Sequence, residues 1–117
     1  MIDKTAIIDP KAKIDLNVKI GPFCVIGANV EIKKDTIIQS HVSILGSTKL
    51  GEKNTIYPFA SIGNDPQDLK FKGEKTNLVI GNNNKIREYV TINPGTKGGG
   101  RLTKIGSNCL FMVSSHI

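Results

Sequence analysis

The stretch KIDLNVKIGPFCVIGANVEIKKDTIIQSHVSILGSTKL, residues 13–50, has a large aliphatic residue at every sixth position. The same spacing extends in both directions, and the complete series is Ile2, Ile8, Ile14, Ile20, Ile26, Ile32, Ile38, Ile44, Leu50, Ile56 and Ile62. Four residues after each member lies a second position that is mostly small or β-branched, as in Val18, Cys24 and Val30. Two series in one common register indicate an internal repeat of six residues.

A period of six suits short β-strands better than an α-helix. Residues six apart in a helix point to different sides, because each residue turns the chain by about 100°. In a strand, residues four and six apart share one face, and β-branching favours this conformation. Glycines one position after the aliphatic residue are predicted to supply positive φ angles at the bends between strands. Three short strands per turn then give a triangular parallel β-helix with the isoleucines inside, and we predict one such all-β domain over residues 1–117.

Two stretches interrupt this repeat, at about residues 63–78 and 96–104. After the first, the series resumes at Ile80 in the same phase, whereas the second shifts the phase by one before Ile105. Both stretches are therefore predicted to be looped out of the coil, which continues beyond them.

The first of these loops contains several charged and polar residues. Positions 68 and 74 of the six-residue series are Asp68 and Glu74, which cannot belong to an apolar core. Long loops in compact domains are usually functional. One interpretation is that the loop brings Gln67, Asp68 and Lys70 to a ligand groove on the wall of the prism. The alternative is a surface loop that only covers a neighbouring subunit.

The composition narrows the possible partners. The chain has 16 Lys and Arg against 10 Asp and Glu, a formal charge of +6. This excess is typical of a solvated lysine surface, or of an anionic partner such as a nucleotide or an acidic protein. We expect no nucleic acid partner, because the lysines are scattered and few aromatic residues lie among them.

The cysteines and the N-terminal sequence indicate the cellular compartment in which the protein is found. Cys24 and Cys109 both occupy the small inward position and are about four coils apart, too far for a disulfide. We therefore expect both to be reduced core residues, as in a cytoplasmic protein. The start MIDKTAIIDP has no apolar run of signal-peptide type, and no stretch is long enough to span a membrane.

Several motifs together resemble one enzyme family, the acyl-carrier-protein-dependent UDP-N-acetylglucosamine O-acyltransferases, which catalyse the first step of lipid A synthesis. The resemblance covers the chain in order and is carried by GPFCVIG (21–27), FASIGNDPQDLKFKGE (59–74), IREYVTINPGT (86–96), GGGRLTKIG (98–106) and SSHI (114–117). It implies a left-handed coil and a homotrimer with active sites between neighbouring subunits. It also implies transfer of an (R)-3-hydroxyacyl chain from acyl carrier protein to the 3-hydroxyl of UDP-N-acetylglucosamine.

The resemblance assigns roles to four substrate-binding residues. Asp68 would accept a hydrogen bond from a sugar hydroxyl, Lys70 would approach the diphosphate, and Gln67 would lie beside them. His116 matches a substrate-binding histidine, and the family's general-base histidine is expected just beyond Ile117. The 117 residues are therefore expected to end before the catalytic centre and to be inactive alone.

The other histidine is expected to have no part in the site. His41 lies just before the inward Val42, so it is predicted to be a surface residue. We expect no cofactor or metal, because His41 and His116 are too distant to form a zinc cluster.

Two other functions remain open from the sequence. One is a different hexapeptide-repeat sugar acyltransferase, although a related N-acyltransferase would normally have an extra N-terminal domain before the first repeat. The other is a non-enzymatic trimerising solenoid, against which the charged loop argues. A second histidine three residues after His116 would favour the transferase, and its absence would favour a scaffold.

Overall fold

The computed structural model describes residues 1–63, 77–93 and 102–117, and Gln67, Asp68 and Lys70 lie outside them. The described residues form fifteen short strands that make the three faces of a triangular prism. The first face contains β1 (Ile7–Ile8), β4 (Val25–Ile26), β7 (Ser43–Ile44), β10 (Ser61–Ile62) and β13 (Thr91–Ile92). The second contains β2 (Lys13–Ile14), β5 (Val30–Ile32), β8 (Ser47–Leu50), β11 (Asn77–Ile80) and β14 (Leu102–Ile105). The third contains β3 (Lys19–Ile20), β6 (Ile37–Ile38), β9 (Thr55–Ile56), β12 (Lys85–Ile86) and β15 (Leu110–Phe111).

Every strand pairs in parallel with strands of the adjacent coils, so the predicted parallel solenoid is confirmed. On the first face Ile26 pairs with Ile44, three hexapeptide repeats further along the chain. Ile62 pairs with Ile92, five repeats further along. The coil that contains the first loop is thus longer by two whole repeats, which explains why the sequence series resumes in phase after this loop.

The second loop has a different length. Ile80 pairs with Ile105, which lies four repeats and one residue further along the chain instead of the usual three repeats. The phase shift of one residue that the sequence predicts is therefore present. Strands β11 and β14 begin at Asn77 and Leu102, near the C-terminal ends of the two predicted loops.

The aliphatic series forms the core. Its members from Ile20 to Ile62 are buried, and Ile80, Ile86 and Ile92 continue the column. In the coils at either end packing is less complete, so Ile8 and Ile105 are only partly buried and Ile2 is 47% exposed. These stacked isoleucines supply the apolar burial that stabilises a chain with few aromatic residues.

At most bends between strands, residues other than the predicted glycines have positive φ. Positive φ occurs at the third residue after the aliphatic position, at Asn17, Phe23, Asp35, His41, Lys53, Phe59, Asn83, Tyr89, Asn108 and Ser114. Gly21, one residue after Ile20, serves another purpose: a Cβ there would lie 2.7 Å from the Gln39 carbonyl oxygen of the next coil. Among the glycines that directly follow the aliphatic position, the expected positive φ occurs at Gly63 (φ 77°), whereas Gly21 permits close stacking of coils.

One corner of the prism is held by buried polar side chains. The Thr36 hydroxyl donates to the Gly51 carbonyl (2.9 Å), and the Asn54 side-chain amide donates to the Gly81 carbonyl (2.9 Å). Asn54 Oδ1 accepts from the Asn84 backbone N–H (2.9 Å), and Asn84 Oδ1 accepts in turn from the Cys109 N–H (2.8 Å). Within the described part of the chain, every buried side-chain nitrogen and oxygen has a hydrogen-bond partner. The polar corner thus joins successive coils without unsatisfied groups.

Candidate functional site

His116 projects from the first face. It forms a parallel bridge with Thr91, and the Ile117 N–H donates to the Thr91 carbonyl at 2.9 Å. The outward residues of this face form one column along the prism, in the order Ile7, Val25, Ser43, Ser61, Thr91 and His116. His116 is exposed, so its imidazole is accessible at the end of this column.

The chain leaves the first face at two neighbouring points. Gly63 follows β10 and precedes the segment 64–76, and Asn93 follows β13 and precedes the segment 94–101. Because Ile62 and Ile92 are paired, these two points lie one strand spacing apart, about 4.8 Å. The segment that contains Gln67, Asp68 and Lys70 therefore starts from the same face that carries His116.

Gly63 packs closely at this point. Its φ is 77°, its N–H donates to the Ile92 carbonyl at 2.7 Å, and an added Cβ would overlap the Leu45 carbonyl oxygen and Thr48 Oγ1. Gly46, with φ 68°, lies against the Gly63 carbonyl. At this corner glycine is required for both its conformation and its small size. The direction in which the chain leaves β10 is thus fixed by packing.

Four aromatic rings stack along the opposite edge of the first face. Phe23 and His41 have ring centroids 5.1 Å apart, His41 and Phe59 5.0 Å, and Phe59 and Tyr89 5.4 Å. We call these four residues the aromatic corner. His41 is exposed, as the sequence predicts, but its ring is held between two phenylalanines. Offset and stacked pairs at these separations are favourable, so the aromatic corner stabilises successive turns.

The Arg87 side chain contacts two other side chains, those of Glu88 and Tyr57. Its Nε lies 3.0 Å from Glu88 Oε1, and its guanidinium carbon lies 4.4 Å from the centroid of the Tyr57 ring. The pKa of the Glu88 carboxyl is lowered, chiefly by a hydrogen bond from its own backbone amide and then by Arg87. We therefore assign Arg87 a structural role, since surface contacts of this kind contribute modestly to stability.

Both cysteines are free, as the sequence predicts. Cys24 is buried beside β4, and its thiol donates to the Gln39 carbonyl at 2.9 Å. Burial raises the pKa of the Cys24 thiol. Cys109 is only partly buried, in the last coil before β15, and lies outside the apolar core, so its prediction as a core residue is wrong.

This difference predicts unequal reactivity. At neutral pH we expect a maleimide to label Cys109 faster than Cys24 by about tenfold or more, because Cys24 is buried and its raised pKa disfavours the reactive thiolate. Single-cysteine variants Cys24→Ala and Cys109→Ala, followed by mass spectrometry, measure each rate. Both thiols should react equally in concentrated urea, and equal rates in the native protein would contradict the burial of Cys24.

The described residues were also inspected for a metal-binding cluster and for a membrane-spanning helix. Across residues 1–63, 77–93 and 102–117 there is no group of three or more His, Cys, Asp or Glu side chains that could hold a metal ion. The same ranges contain no helix long and apolar enough to cross a membrane.

Comparison with known proteins identifies the class to which this architecture belongs. Residues 11–46 match the family described as bacterial transferase hexapeptide (six repeats). The crystal structure of a UDP-N-acetylglucosamine O-acyltransferase from Moraxella catarrhalis superimposes with a TM-score of 0.96 at 50% identity, covering 99% of this chain and 45% of that one. The predicted fold class is confirmed: the chain is a left-handed parallel β-helix of hexapeptide repeats.

Curated relatives define the resemblance more narrowly. The acyl-[acyl-carrier-protein]–UDP-N-acetylglucosamine O-acyltransferase of Rickettsia canadensis is 52% identical over 116 residues, which cover 99% of this chain and 44% of the relative. The protein of the same name from Thermodesulfovibrio yellowstonii is 53% identical, with 99% and 45% covered. The family resemblance inferred from the motifs is thus confirmed. The chain spans less than half the length of the relatives it matches.

Proposed function

We propose that this chain forms part of an O-acyltransferase that moves an (R)-3-hydroxyacyl group from acyl carrier protein to the 3-hydroxyl of UDP-N-acetylglucosamine. The observation that carries the proposal is the identity of 52% and 53% to two enzymes of that name over 99% of this chain. The reaction would be the first step of lipid A synthesis, in a cytoplasmic homotrimer whose active sites lie between subunits.

The proposed chemistry is a simple acyl transfer. The sugar 3-hydroxyl oxygen attacks the carbonyl carbon of the acyl thioester, the carbon–sulfur bond breaks, and the carrier leaves as a thiol. A general base removes the hydroxyl proton, and this proton ends on the departing sulfur. The atoms and electrons of this acyl transfer balance without a metal or redox cofactor.

Of the two histidines in the chain, neither fits the role of the base. The ring of His41 is held between Phe23 and Phe59 in the aromatic corner. His116 is assigned to substrate binding by the motif that it matches. Because the chain covers 44% of the Rickettsia canadensis relative, we propose that the base lies in the part of such an enzyme that these 117 residues do not cover.

The nucleotide sugar is proposed to bind along the first face. The segment with Gln67, Asp68 and Lys70 starts after β10, and His116 lies two strand spacings from Ser61, or about 10 Å. That distance suits a sugar with its diphosphate extending between them. Asp68 would accept a hydrogen bond from a sugar hydroxyl, Lys70 would contact the diphosphate, and Gln67 would support the loop.

A chimera tests this function. The chain is joined in register to the remainder of the Thermodesulfovibrio yellowstonii relative, and acyl transfer to labelled UDP-N-acetylglucosamine is measured. We expect transfer by the chimera and none by the unextended chain. A chimera that assembles normally and transfers nothing would favour a non-enzymatic trimerising solenoid instead.

Within the active chimera, Asp68→Ala and Lys70→Ala are each expected to lower kcat/KM by roughly ten- to a hundredfold. The reason is that a hydrogen bond to a charged group contributes about 1.5–3 kcal/mol. The Lys70 effect should shrink at high salt, because screening weakens its contact with phosphate. Lys85→Ala, an exposed lysine on the third face, is the control and should leave kcat/KM unchanged.

The competing interpretation is that the loop only packs against a neighbouring subunit. It predicts the opposite pattern, with normal kcat/KM for each folded assembly and a lower melting temperature for the Asp68 and Lys70 variants. Measuring both quantities on both variants separates a ligand-binding loop from a packing loop.

A further inference from the structure

A groove runs along the corner between the first and second faces in the first three coils. The chain turns this corner through small residues, Ala28 in the second coil and Gly46 in the third, so the longer side chains around them leave space. The groove has a volume of about 430 Å³, which is within the usual range for small-molecule sites. We call it the lysine groove, and its polar lining residues are Lys11, Lys13, Asn29, Glu31, Ser47 and Lys49.

The lysine groove has an excess of positive charge. Lys13, Glu31 and Lys49 are register partners in the outward column of the second face. Lys13 and Lys49 are therefore two strand spacings apart, about 10 Å, and Lys11 lies two residues before Lys13. All three lysines are exposed, and three ammonium groups against one carboxylate leave two positive charges in excess.

The carboxylate of the groove is paired with a lysine that does not line it. Lys33 Nζ donates to Glu31 Oε1 at 3.1 Å. This hydrogen bond is the chief reason that the pKa of the Glu31 carboxyl is lowered, and the positive charges of Lys33, Lys49 and Lys13 lower it further. Among the described residues, none forms an ion pair with Lys11, Lys13 or Lys49. These three lysines are thus available to an anion.

We propose that the lysine groove binds the phosphate group of a small organic molecule. An ammonium binds phosphate as a point charge with three donors, and the Asn29 amide and the Ser47 hydroxyl add donors along the corner. A phosphate monoester carries about two negative charges at neutral pH, which matches the excess charge of the groove. The phosphate is expected on the Asn29 side of the lysine column, because Glu31 repels it.

The lysines of the third face are less suited to this role. Lys19 and Lys85 share one outward column, but Ile37 and Thr55 lie between them, so they are three strand spacings apart, about 14 Å. To reach one phosphate, both side chains would have to be almost fully extended and would lose most of their rotamer freedom. The lysine groove also ends within three coils, whereas an acidic protein needs a broader surface. A small ligand is therefore the occupant that the observations favour.

Two matched pairs of variants test this site, with inorganic pyrophosphate as the probe. Lys13→Gln is compared with Lys19→Gln, since both are exposed lysines of the first coil that directly precede an isoleucine of the core series. Lys49→Gln is compared with Lys85→Gln, since both are exposed and Lys85 belongs to the third face. Isothermal titration calorimetry of each full-chain variant at low salt measures the dissociation constant, and circular dichroism checks the fold.

For the wild-type chain we expect saturable binding of pyrophosphate. Lys13→Gln and Lys49→Gln should each raise the dissociation constant by about fivefold or more, because each removes a charge-assisted contact. Lys19→Gln and Lys85→Gln should change the dissociation constant by less than about twofold, although they remove the same charge.

Removal of the groove carboxylate should have the opposite effect. Glu31→Gln is expected to lower the dissociation constant by about threefold or more, because the negative charge that repels the phosphate is lost. Glu52→Gln is the control, since Glu52 is also partly buried but does not line the groove. It should change the dissociation constant by less than about twofold.

Three results would overturn the proposal. These are a wild-type chain that does not bind pyrophosphate, equal weakening by both members of a pair, and binding to phosphatidylglycerol vesicles without binding to pyrophosphate. Equal weakening would show that only the overall charge of +6 attracts the anion. Vesicle binding alone would assign the lysines to contact with a membrane surface. Because the titration involves no acyl group, the acyltransferase proposal can stand or fall separately in the chimera assay.

Discussion

A chain with Ile38→Asp is expected to show no cooperative unfolding transition and no β-sheet circular dichroism at room temperature. Ile38 lies at the centre of the isoleucine column and is 1% exposed. The substitution removes its apolar burial and places a carboxylate where no partner exists among the described residues. The cost of an unpaired buried charge is several kcal/mol or more, which is comparable with the whole stability of a small domain.

The neighbouring residue provides the control. Ile37 belongs to the same strand β6, has the same β-branched side chain and points to solvent. Ile37→Asp should therefore remain folded, with a melting temperature within a few degrees of the wild type. If Ile38→Asp melts like Ile37→Asp, the assignment of Ile38 to the core is wrong.

The second large effect is expected at the polar corner. Asn54→Leu should lower the free energy of unfolding by about 2–5 kcal/mol, although leucine is apolar and similar in size. The substitution leaves the Asn84 N–H without its acceptor and the Gly81 carbonyl without its donor. Each unsatisfied buried group costs about 1–3 kcal/mol. Urea unfolding followed by circular dichroism measures the change.

Asn29→Leu is the matched control for this experiment, because Asn29 is exposed. It should change the free energy of unfolding by less than about 0.5 kcal/mol, as is usual for surface substitutions. An Asn54→Leu variant as stable as Asn29→Leu would show that the hydrogen bonds between coils contribute little. In that case apolar packing alone would account for the stacking of the coils.

The core could be predicted from the sequence because it depends on one rule. Residues six apart share a face in a strand, so a series of isoleucines such as Ile20 and Ile26 predicts the interior of the prism directly. Counting residues also predicts that the series resumes in phase at Ile80 and is shifted by one residue at Ile105. Register needs no knowledge of side-chain contacts, and this is why the topology could be predicted.

The corners could not be predicted in the same way. The positive φ of Phe23 or Tyr89 is imposed by the closing of the coil, and neither residue type favours that conformation locally. The aromatic corner had a weak signal, since Phe23, His41 and Phe59 are each separated by three repeats and occupy equivalent positions. Tyr89 lies five repeats after Phe59, because the coil between them is longer, so a spacing of three repeats does not predict it as the fourth member. Stacking also depends on coil spacing, which the repeat length alone does not give.

The candidate site, too, could be predicted from the sequence only in part. The sequence places His116 on a strand, and the structure adds that it extends the column formed by Ser61 and Thr91. The roles of Gln67, Asp68 and Lys70 remain predictions. Their loop departs from the six-residue rule, so periodicity carries no information about where their side chains point.

The pairing of coils also limits how a binding surface on this solenoid can change. Ser61, Thr91 and His116 occupy successive coils, so their separation along the axis is a whole number of strand spacings of about 4.8 Å. Neither loop alters this distance, because both insertions leave the flanking strands paired. Substrate length can therefore be matched coarsely by moving a contact residue to another coil, in steps close to the length of four methylene groups. Finer adjustment must come from side-chain size and from the loops, whose lengths can vary without disturbing the column.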